Sequence, residues 1–209
     1  MQSIKSNKEL DVVLFDFGGV LAEEGWGEGL RVIAKANGID GDDFIKAATD
    51  EVYASGYILG KGSEISFWNR LRERTGIKGD DASLMHELFP RFTLRNWMMD
   101  LVRRLKEENI TVGILSDQTD MLDKLNDKFD FFKCFHHVFN SYHIGKGKRD
   151  SSLFDDIAHA LSTKPYRILF IDDDPGNIDR ARQKCWQAIL YIDRNSFQRE
   201  LEKILSIKI

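Results

Sequence analysis

The sequence predicts an α/β protein built on a Rossmann-like parallel sheet with helices on both faces, together with a small all-helical cap domain. Three observations support this prediction. Short apolar runs recur along the chain, amphipathic helical patterns separate the later runs, and one long interval holds helical patterns without a convincing strand. Alternation of strands and helices is typical of parallel sheets that helices cover on both faces. A chain of 209 residues accommodates one such domain with a smaller insertion.

Five apolar runs are the predicted strands. Their shortness and their content of valine, isoleucine and phenylalanine favour buried strands over helices. The runs are Val12–Phe17, Thr111–Leu115, His137–Asn140, Arg167–Ile171 and Ala188–Ile192. The predicted helices of the same domain are Trp97–Glu108, Asp120–Phe129, Ser152–Leu161, Asn177–Lys184 and Ser196–Leu205.

The interval from residue 22 to about residue 92 interrupts this alternation. Its helical patterns cover Gly29–Ala36, Phe44–Ser55 and Ser63–Arg74. We interpret an all-helical insertion after the first strand as a cap over the strand ends, and the alternative is a helical layer on the side of the sheet. The predicted division is therefore a core domain of residues 1–21 and 93–209 and a cap domain of residues 22–92. We expect its aromatic residues to pack the helices rather than to line a pocket: Trp26, Tyr53, Tyr57, Phe67 and Trp68.

Composition and charge exclude several classes of partner. The formal net charge is −4 with histidine neutral, and no basic stripe indicates nucleic-acid binding. No apolar run approaches the roughly 18 residues that span a membrane, and the stretch from Met1 to Leu10 is polar, without an apolar signal region. Cys134 and Cys185 lack metal-ligand spacing, so we expect buried thiols in a reducing compartment. We predict a cytoplasmic protein; its oligomeric state is not readable from the sequence.

Polar residues follow four of the predicted strands. Asp16 ends the first run, Ser116 follows the second, Lys148 lies beyond the third, and Asp172 and Asp173 follow the fourth. Because ligands bind at the carboxyl ends of parallel strands, we expect these side chains to meet in one crevice.

This set of side chains suits phosphoryl transfer. A carboxylate can attack phosphorus and form an acyl phosphate, which divides one difficult step into two. Mg²⁺ takes oxygen ligands and would separate the attacking Asp16 from the phosphate, with the pair Asp172 and Asp173 holding the metal. A lysine and a serine hydroxyl would stabilise the phosphoryl charge. Taken singly, Asp16, Ser116 and the acidic run are better explained as turn formers or helix caps, and Lys148 as part of a solvated loop. The four together favour the site.

The chain resembles the haloacid dehalogenase (HAD) superfamily of hydrolases, in the branch with a helical cap inserted after the first strand. Four motifs match in order: Leu14–Leu21 (LFDFGGVL), Ile114–Ser116 (ILS), Lys148 within Gly145–Phe154 (GKGKRDSSLF), and Phe170–Asp173 (FIDD) continuing to Asn177. Arg149 stands where the third motif usually has proline.

The resemblance implies a role for each matching residue. Asp16 would be the nucleophile and a Mg²⁺ ligand, Asp173 would bind the metal directly, and Asp172 would do so through water. Lys148 would bridge Asp16 and the phosphate. The expected phosphate ligands are Ser116, Asp117 and Lys148, and the expected substrate is a small phosphorylated metabolite.

One position departs from the family pattern. Most phosphatases of the family carry a second aspartate two residues after the nucleophile, which protonates the leaving group and then activates water. Here that residue is Gly18, whose backbone carbonyl can still ligate Mg²⁺ but which lacks an acid/base worth about 10²–10⁴-fold in rate. The alternative reason for glycine is a positive φ angle or a close backbone approach. Glu23, Glu24 and Asp117 are the candidate replacements.

Three functions follow from these observations. The first is a Mg²⁺-dependent phosphatase acting through a phospho-Asp16 intermediate. The second is a catalytically impaired protein that keeps the phosphate site for binding or regulation. The third, which we rank last, is carbon–halogen cleavage, because family dehalogenases also lack the second aspartate but need no acidic pair such as Asp172 and Asp173.

Overall fold

A computed structural model describes residues 10–205, and a five-stranded parallel sheet of order β3-β2-β1-β4-β5 forms its centre. The strands are β1 Val12–Phe15, β2 Thr111–Ser116, β3 His137–Asn140, β4 Ile168–Asp172 and β5 Gln187–Leu190. The predicted fold class and all five predicted strands are confirmed, with small shifts at the ends. The first nine and the last four residues of the predicted core domain, with the polar N-terminal stretch, lie outside the described residues.

Ten α-helices occur in the described part of the chain. They are α1 Gly25–Ala36, α2 Gly41–Ala54, α3 Glu64–Thr75, α4 Asp81–Leu88, α5 Asn96–Glu107, α6 Met121–Phe129, α7 Ser141–Ile144, α8 Ser152–Ala160, α9 Pro175–Gln183 and α10 Arg194–Leu205. Every predicted helix is present. Helices α4 and α7 were not predicted, since both are short and their ends depend on side-chain caps: Asp80 Oδ1 accepts from Ser83 N at 2.9 Å, and Asn140 Oδ1 accepts from Tyr142 N at 3.2 Å.

Strand β1 occupies the middle of the sheet, hydrogen-bonded to β2 on one side and to β4 on the other. Its side chains alternate between two hydrophobic clusters. Val13 and Phe15 pack in the cluster that includes α5 and α6, while Val12 and Leu14 pack in the cluster that includes α8 and α9. Because both faces are covered, all four residues of β1 are buried and apolar.

The helices α1–α4 form what we call the helical segment, residues 22–92. Phe44 of α2 and Trp68 of α3 belong to the same hydrophobic cluster as Phe15 of β1, so the hydrophobic core of the segment is continuous with that of the sheet. Helix α1 begins four residues before the predicted start because the side chain of Glu24 caps it, accepting a hydrogen bond from Gly27 N at 2.8 Å.

Two further expectations concern exposure. Within residues 10–205, no helix is long and apolar enough to cross a membrane. The expectation of two buried thiols is wrong: Cys134 is half-buried and Cys185 is exposed. Cys185 lies in the turn between α9 and β5 with a φ of +62°, and this surface turn leaves its side chain in solvent.

Candidate active site

Asp16 directly follows β1 at the carboxyl edge of the sheet. Its backbone N–H donates to Ile171 O at 2.8 Å, which extends the pairing of β1 with β4 by one residue. Its side-chain Oδ1 accepts hydrogen bonds from Phe17 N at 2.7 Å and from Ser116 Oγ at 2.5 Å. The central strand thus fixes the backbone, and two donors fix the carboxylate.

Lys148 lies beneath the site with only 2% of its side chain exposed. Its Nζ is 2.6 Å from Asp172 Oδ2 and 3.1 Å from Asp16 Oδ2, so it bridges two carboxylates. Burial by itself lowers the pKa of Lys148, but the carboxylates of Asp16 and Asp172 outweigh burial and raise that pKa. The lysine is therefore a fixed cation rather than a proton donor near neutral pH.

Asp172 is fully buried and its two oxygens are completely engaged. Besides the lysine, Asn177 Nδ2 lies 3.2 Å from Oδ1 and 3.1 Å from Oδ2, and Asp174 N donates to Oδ1 at 2.7 Å. Asn177 lies in the first turn of α9, which brings its amide back to the end of β4. A buried carboxylate needs such a complete set of partners because desolvation disfavours its charge.

Asp16, Asp172 and Asp173 each offer a carboxylate oxygen, and these atoms all lie within 4.8 Å of one another. Burial raises the pKa of Asp16 to about 7, and the charges of Asp172 and Asp173 add to the rise against the opposing effect of Lys148. Burial, followed by the charge of Asp172, raises the pKa of Asp173 to about 6. An all-oxygen donor set that repels itself in this way fits a divalent cation such as Mg²⁺.

The two glycines after Asp16 differ in kind. Gly19 has a φ of +76°, and a Cβ there would lie 2.1 Å from Asp173 Oδ2, so this position requires glycine. Gly18 is outside the left-handed region, and a Cβ there would meet Gln118 Nε2 at 3.6 Å and Phe92 Cε1 at 3.7 Å, both ordinary contacts. The backbone explanation is therefore wrong for Gly18 and right for Gly19.

Asp117 connects three parts of the site. Its two oxygens accept from Lys148 N at 2.9 and 3.1 Å, and Oδ2 also accepts from Tyr53 Oη at 2.8 Å. Its carboxylate thus points to the loop of Lys148 and to helix α2. These partners leave Asp117 poorly suited to replace the missing acid/base.

The other two candidate acids differ in environment. Glu23 receives two hydrogen bonds from the guanidinium of Arg95, at 3.0 and 2.8 Å, and these lower its pKa. Glu24 lines the same cavity as Asp16 and Gly18, and burial raises its pKa. Of the three candidates, Glu24 alone combines a place in the cavity with a raised pKa.

A cavity of about 250 Å³ contains Asp16 in its lining. Gly18, Lys148 and Asp173 also line it, together with residues of the helical segment. The lining residues from the helical segment are Glu24, Trp26, Thr49, Val52, Tyr53 and Ile58. The expectation that the aromatic residues only pack the helices is right for Tyr57, Phe67 and Trp68, which are buried, and wrong for Trp26 and Tyr53, which line the cavity.

Asn177, Tyr53 and Arg180 also line this cavity. The sequence places Asn177 at the end of the fourth motif without assigning it a role, favours packing over cavity lining for Tyr53, and does not single out Arg180. No pattern in the sequence indicates that Tyr53 contacts Asp117, because the two residues are 64 positions apart.

Fold and site together define an α/β protein that presents a carboxylate, a lysine and an acidic pair at the carboxyl edge of a parallel sheet. A model of the haloacid dehalogenase-like hydrolase family matches residues 10–183, and the chain belongs to this family. Among curated proteins, rat bifunctional epoxide hydrolase 2 is 28% identical over 221 residues, covering 93% of this chain and 39% of that protein. Drimenol cyclase drtB of Aspergillus calidoustus is 30% identical over 77 residues, covering 37% of this chain and 15% of that protein. The chain thus spans less than two fifths of the length of these relatives.

Solved structures share the fold. A predicted HAD-like hydrolase from Porphyromonas gingivalis superposes with a TM-score of 0.76 at 21% identity, covering 94% of this chain and 98% of that chain. A HAD family enzyme from Bacteroides thetaiotaomicron, solved with magnesium and inorganic phosphate, superposes with a TM-score of 0.69 at 20% identity, covering 90% of this chain and 98% of that chain. L-2-haloacid dehalogenase from Xanthobacter autotrophicus superposes with a TM-score of 0.64 at 15% identity, covering 93% of this chain and 83% of that chain.

Proposed function

We propose that the protein is a Mg²⁺-dependent phosphatase that hydrolyses a small phosphorylated metabolite through a phospho-Asp16 intermediate. The observation that carries the proposal is the convergence on Asp16 of a hydroxyl, a buried lysine and two further carboxylates. The complex of the Bacteroides enzyme with magnesium and inorganic phosphate supports the same chemistry.

The first step needs a bare carboxylate aimed at phosphorus. Lys148 stabilises the charged form of Asp16, and Ser116 Oγ, which donates to Asp16 Oδ1, is placed to donate to a phosphoryl oxygen once substrate is bound. Asp16 attacks phosphorus, the bond from phosphorus to the ester oxygen breaks, and the leaving oxygen takes a proton. Asp16, Asp173, the carbonyl of Gly18 and, through water, Asp172 would hold the cation. When bound, Mg²⁺ neutralises charge between Asp16 and the phosphate.

The second step is attack by water on the phosphorus of phospho-Asp16, which releases inorganic phosphate and regenerates the carboxylate. Gly18 cannot supply a proton in the first step or accept one in the second. Glu24 is the residue that we assign to partial compensation, since it lines the cavity and burial raises its pKa. The protein should therefore favour aryl or acyl phosphates, whose leaving groups need no proton, and should turn over slowly.

We assign the helical segment, residues 22–92, to the cap domain and residues 1–21 and 93–209 to the core domain. Trp26, Val52 and Tyr53 support this division, because they belong to the segment and line the cavity that contains Asp16. In this proposal the cap excludes water and contributes substrate contacts. The cytoplasmic location and the absence of nucleic-acid partners remain predictions from composition.

Two alternative functions remain to be tested. Gly18 favours a binding or regulatory protein, which would bind a phosphorylated metabolite with Mg²⁺ and turn over none of a broad panel. The likeness to a haloacid dehalogenase raises carbon–halogen cleavage, against which the acidic pair Asp172 and Asp173 counts. Release of halide from a 2-haloacid would reverse this ranking.

The deciding experiment is stopped-flow hydrolysis of an aryl phosphate with and without Mg²⁺. We expect a Mg²⁺-dependent burst of aryl alcohol followed by a slower steady rate, and a loss of roughly three orders of magnitude or more in Asp16→Asn. Asp123→Asn is the matched control, because Asp123 pairs with His143 at 2.7 Å and does not line the cavity. The proposal would be rejected if the unmodified chain hydrolysed the aryl phosphate equally fast with and without Mg²⁺ and if Asp16→Asn were as fast as the unmodified chain.

A further inference from the structure

Arg149 is held against the cavity by an aromatic ring. The carbon of its guanidinium lies 3.7 Å from the centroid of the Tyr53 ring, and both residues line the cavity that contains Asp16. A guanidinium stacked in this way keeps its N–H edges free, and those edges match a carboxylate with two parallel hydrogen bonds. Within residues 10–205, Arg149 forms no ion pair with a carboxylate.

The other cations of the cavity each face a carboxylate of the protein. Lys148 contacts the carboxylates of Asp16 and Asp172. Arg180 donates to Asn177 Oδ1 at 2.6 Å and lies 3.9 Å from Asp174 Oδ1. Among the described residues that line the cavity, Arg149 is therefore the cation that has no carboxylate within 4.0 Å.

The support under Arg149 is rigid. Tyr53 Oη donates to Asp117 Oδ2 at 2.8 Å, and the same carboxylate accepts two hydrogen bonds from the backbone N–H of Lys148, the residue before Arg149. One carboxylate thus fixes both the ring and the backbone that carry the guanidinium. A group positioned in advance loses less conformational entropy when it binds its partner.

We propose that Arg149, stacked on Tyr53, binds a carboxylate of the substrate. Given the phosphatase function proposed above, on which this inference rests, the substrate class is a small metabolite with a phosphate ester at one end and a carboxylate at the other. The phosphate lies at Asp16 and Lys148, the carboxylate at Arg149, and the apolar side chains of Val52 and Ile58 contact the carbon chain between them.

The test is a binding experiment with two phosphonates that cannot be hydrolysed, 3-phosphonopropanoate and propylphosphonate, measured by calorimetry in the presence of Mg²⁺. Both compounds carry the phosphate mimic, and only the first carries a carboxylate. We expect the full chain to bind 3-phosphonopropanoate about tenfold more tightly or better. Arg149→Met should abolish this preference and leave the affinity for propylphosphonate within about twofold.

Two further variants control the result. Arg194 is stacked over Trp97, 4.8 Å from the ring centroid, and does not line the cavity, so Arg194→Met should keep the full preference. Arg149→Lys keeps the charge and should keep part of the preference, which covers the case in which Arg149→Met does not fold.

The outcomes separate this inference from the proposed function. Equal affinity of the unmodified chain for both phosphonates, or an equal weakening of both in Arg149→Met, overturns the carboxylate site and leaves the phosphatase proposal standing. If neither phosphonate binds in the presence of Mg²⁺, the phosphate site itself is rejected, and the inference about the carboxylate falls with it.

Discussion

Strand β4 ends with an aspartate, Asp172, and strand β1 is followed directly by another, Asp16. The surroundings of these two strand ends differ. At the end of β4, the buried Asp172 accepts hydrogen bonds from a lysine, an amide side chain and a backbone N–H. In the β1 loop, Asp16 is followed two residues later by Gly18, where an added Cβ would meet only ordinary van der Waals contacts. The side chains of Ser116, Lys148 and Asp172, which we assign to phosphate and metal binding, are hydrogen-bonded, whereas glycine occupies the position at which the family pattern has its proton-transferring acid.

This difference separates two requirements that the family usually meets together. A cation and a phosphate need fixed charges and donors, which buried side chains provide. Proton transfer needs an acid whose pKa lies near the working pH and whose position is close to the leaving oxygen. The protein keeps the first set in its core and lacks the second at position 18.

The largest expected effect comes from the β4 loop. Asp172→Asn removes one carboxylate from the buried Lys148 and should destabilise the fold by about 3 kcal/mol, because a buried charge loses a partner. The melting temperature should fall by at least about 6 °C for a chain of this size. Asp173→Asn is the matched neighbour, since Asp173 is more open to solvent than the fully buried Asp172: it should leave the fold intact and weaken Mg²⁺ binding. Thermal melts and Mg²⁺ titrations of both variants check this; equal melting temperatures would contradict it.

A substitution in the loop after β1 should increase the phosphatase activity that we propose. Gly18→Asp restores an acid at a site where a Cβ meets only ordinary contacts, so we expect a gain of about 10²-fold on alkyl phosphates and little change on aryl phosphates. Gly18→Asn has the same shape without the proton and serves as the control. The measurement is kcat/KM with leaving groups of graded pKa. A gain in the asparagine variant, or none in the aspartate variant, would show that the missing acid does not limit the reaction.

The third effect is a dependence of stability on pH in the presence of EDTA. The pKa of Asp16 in the fold is about 7 against an ordinary value of 3.8, so the folded state binds this proton more tightly than the unfolded chain. Stability therefore falls as the pH rises between about 4 and about 7. Asp16→Asn removes this contribution, so its advantage in melting temperature over the unmodified chain should grow by a few degrees across that interval. A constant difference between pH 4 and pH 7 would argue against the raised pKa.

The smallest effect concerns the contact between the two domains of our proposal. Tyr53→Phe removes one hydrogen bond to Asp117, and we expect a loss of about 1 kcal/mol and of about 2–4 °C in melting temperature. Tyr142→Phe is a suitable control, because Tyr142 is also half-buried, but no hydrogen bond within residues 10–205 involves its hydroxyl. A shift of the same size in both variants would mean that the Asp117 contact contributes nothing specific.

The sequence sufficed for the parts of this molecule that depend on local pattern and topology. The apolar runs predicted the strands, and the common edge of a parallel sheet predicted that Asp16, Ser116 and Lys148 would meet the acidic pair. The bond between Tyr53 and Asp117 was not predictable, because it depends on how α2 packs over the sheet. The sequence does not distinguish Gly18 from Gly19. Only the backbone angle and the nearest atoms show that glycine is required at position 19 and not at position 18.

The surroundings of Gly18 have a consequence for how such a protein can diverge. Neither the backbone angle nor a contact of an added Cβ requires glycine there, so the backbone does not dictate this residue. A substitution at this position is expected to change reactivity before it changes architecture. In the function that we propose, chains differing only here would share a shape while differing in how fast they release phosphate, and position 18 would be the one to inspect when assigning their roles.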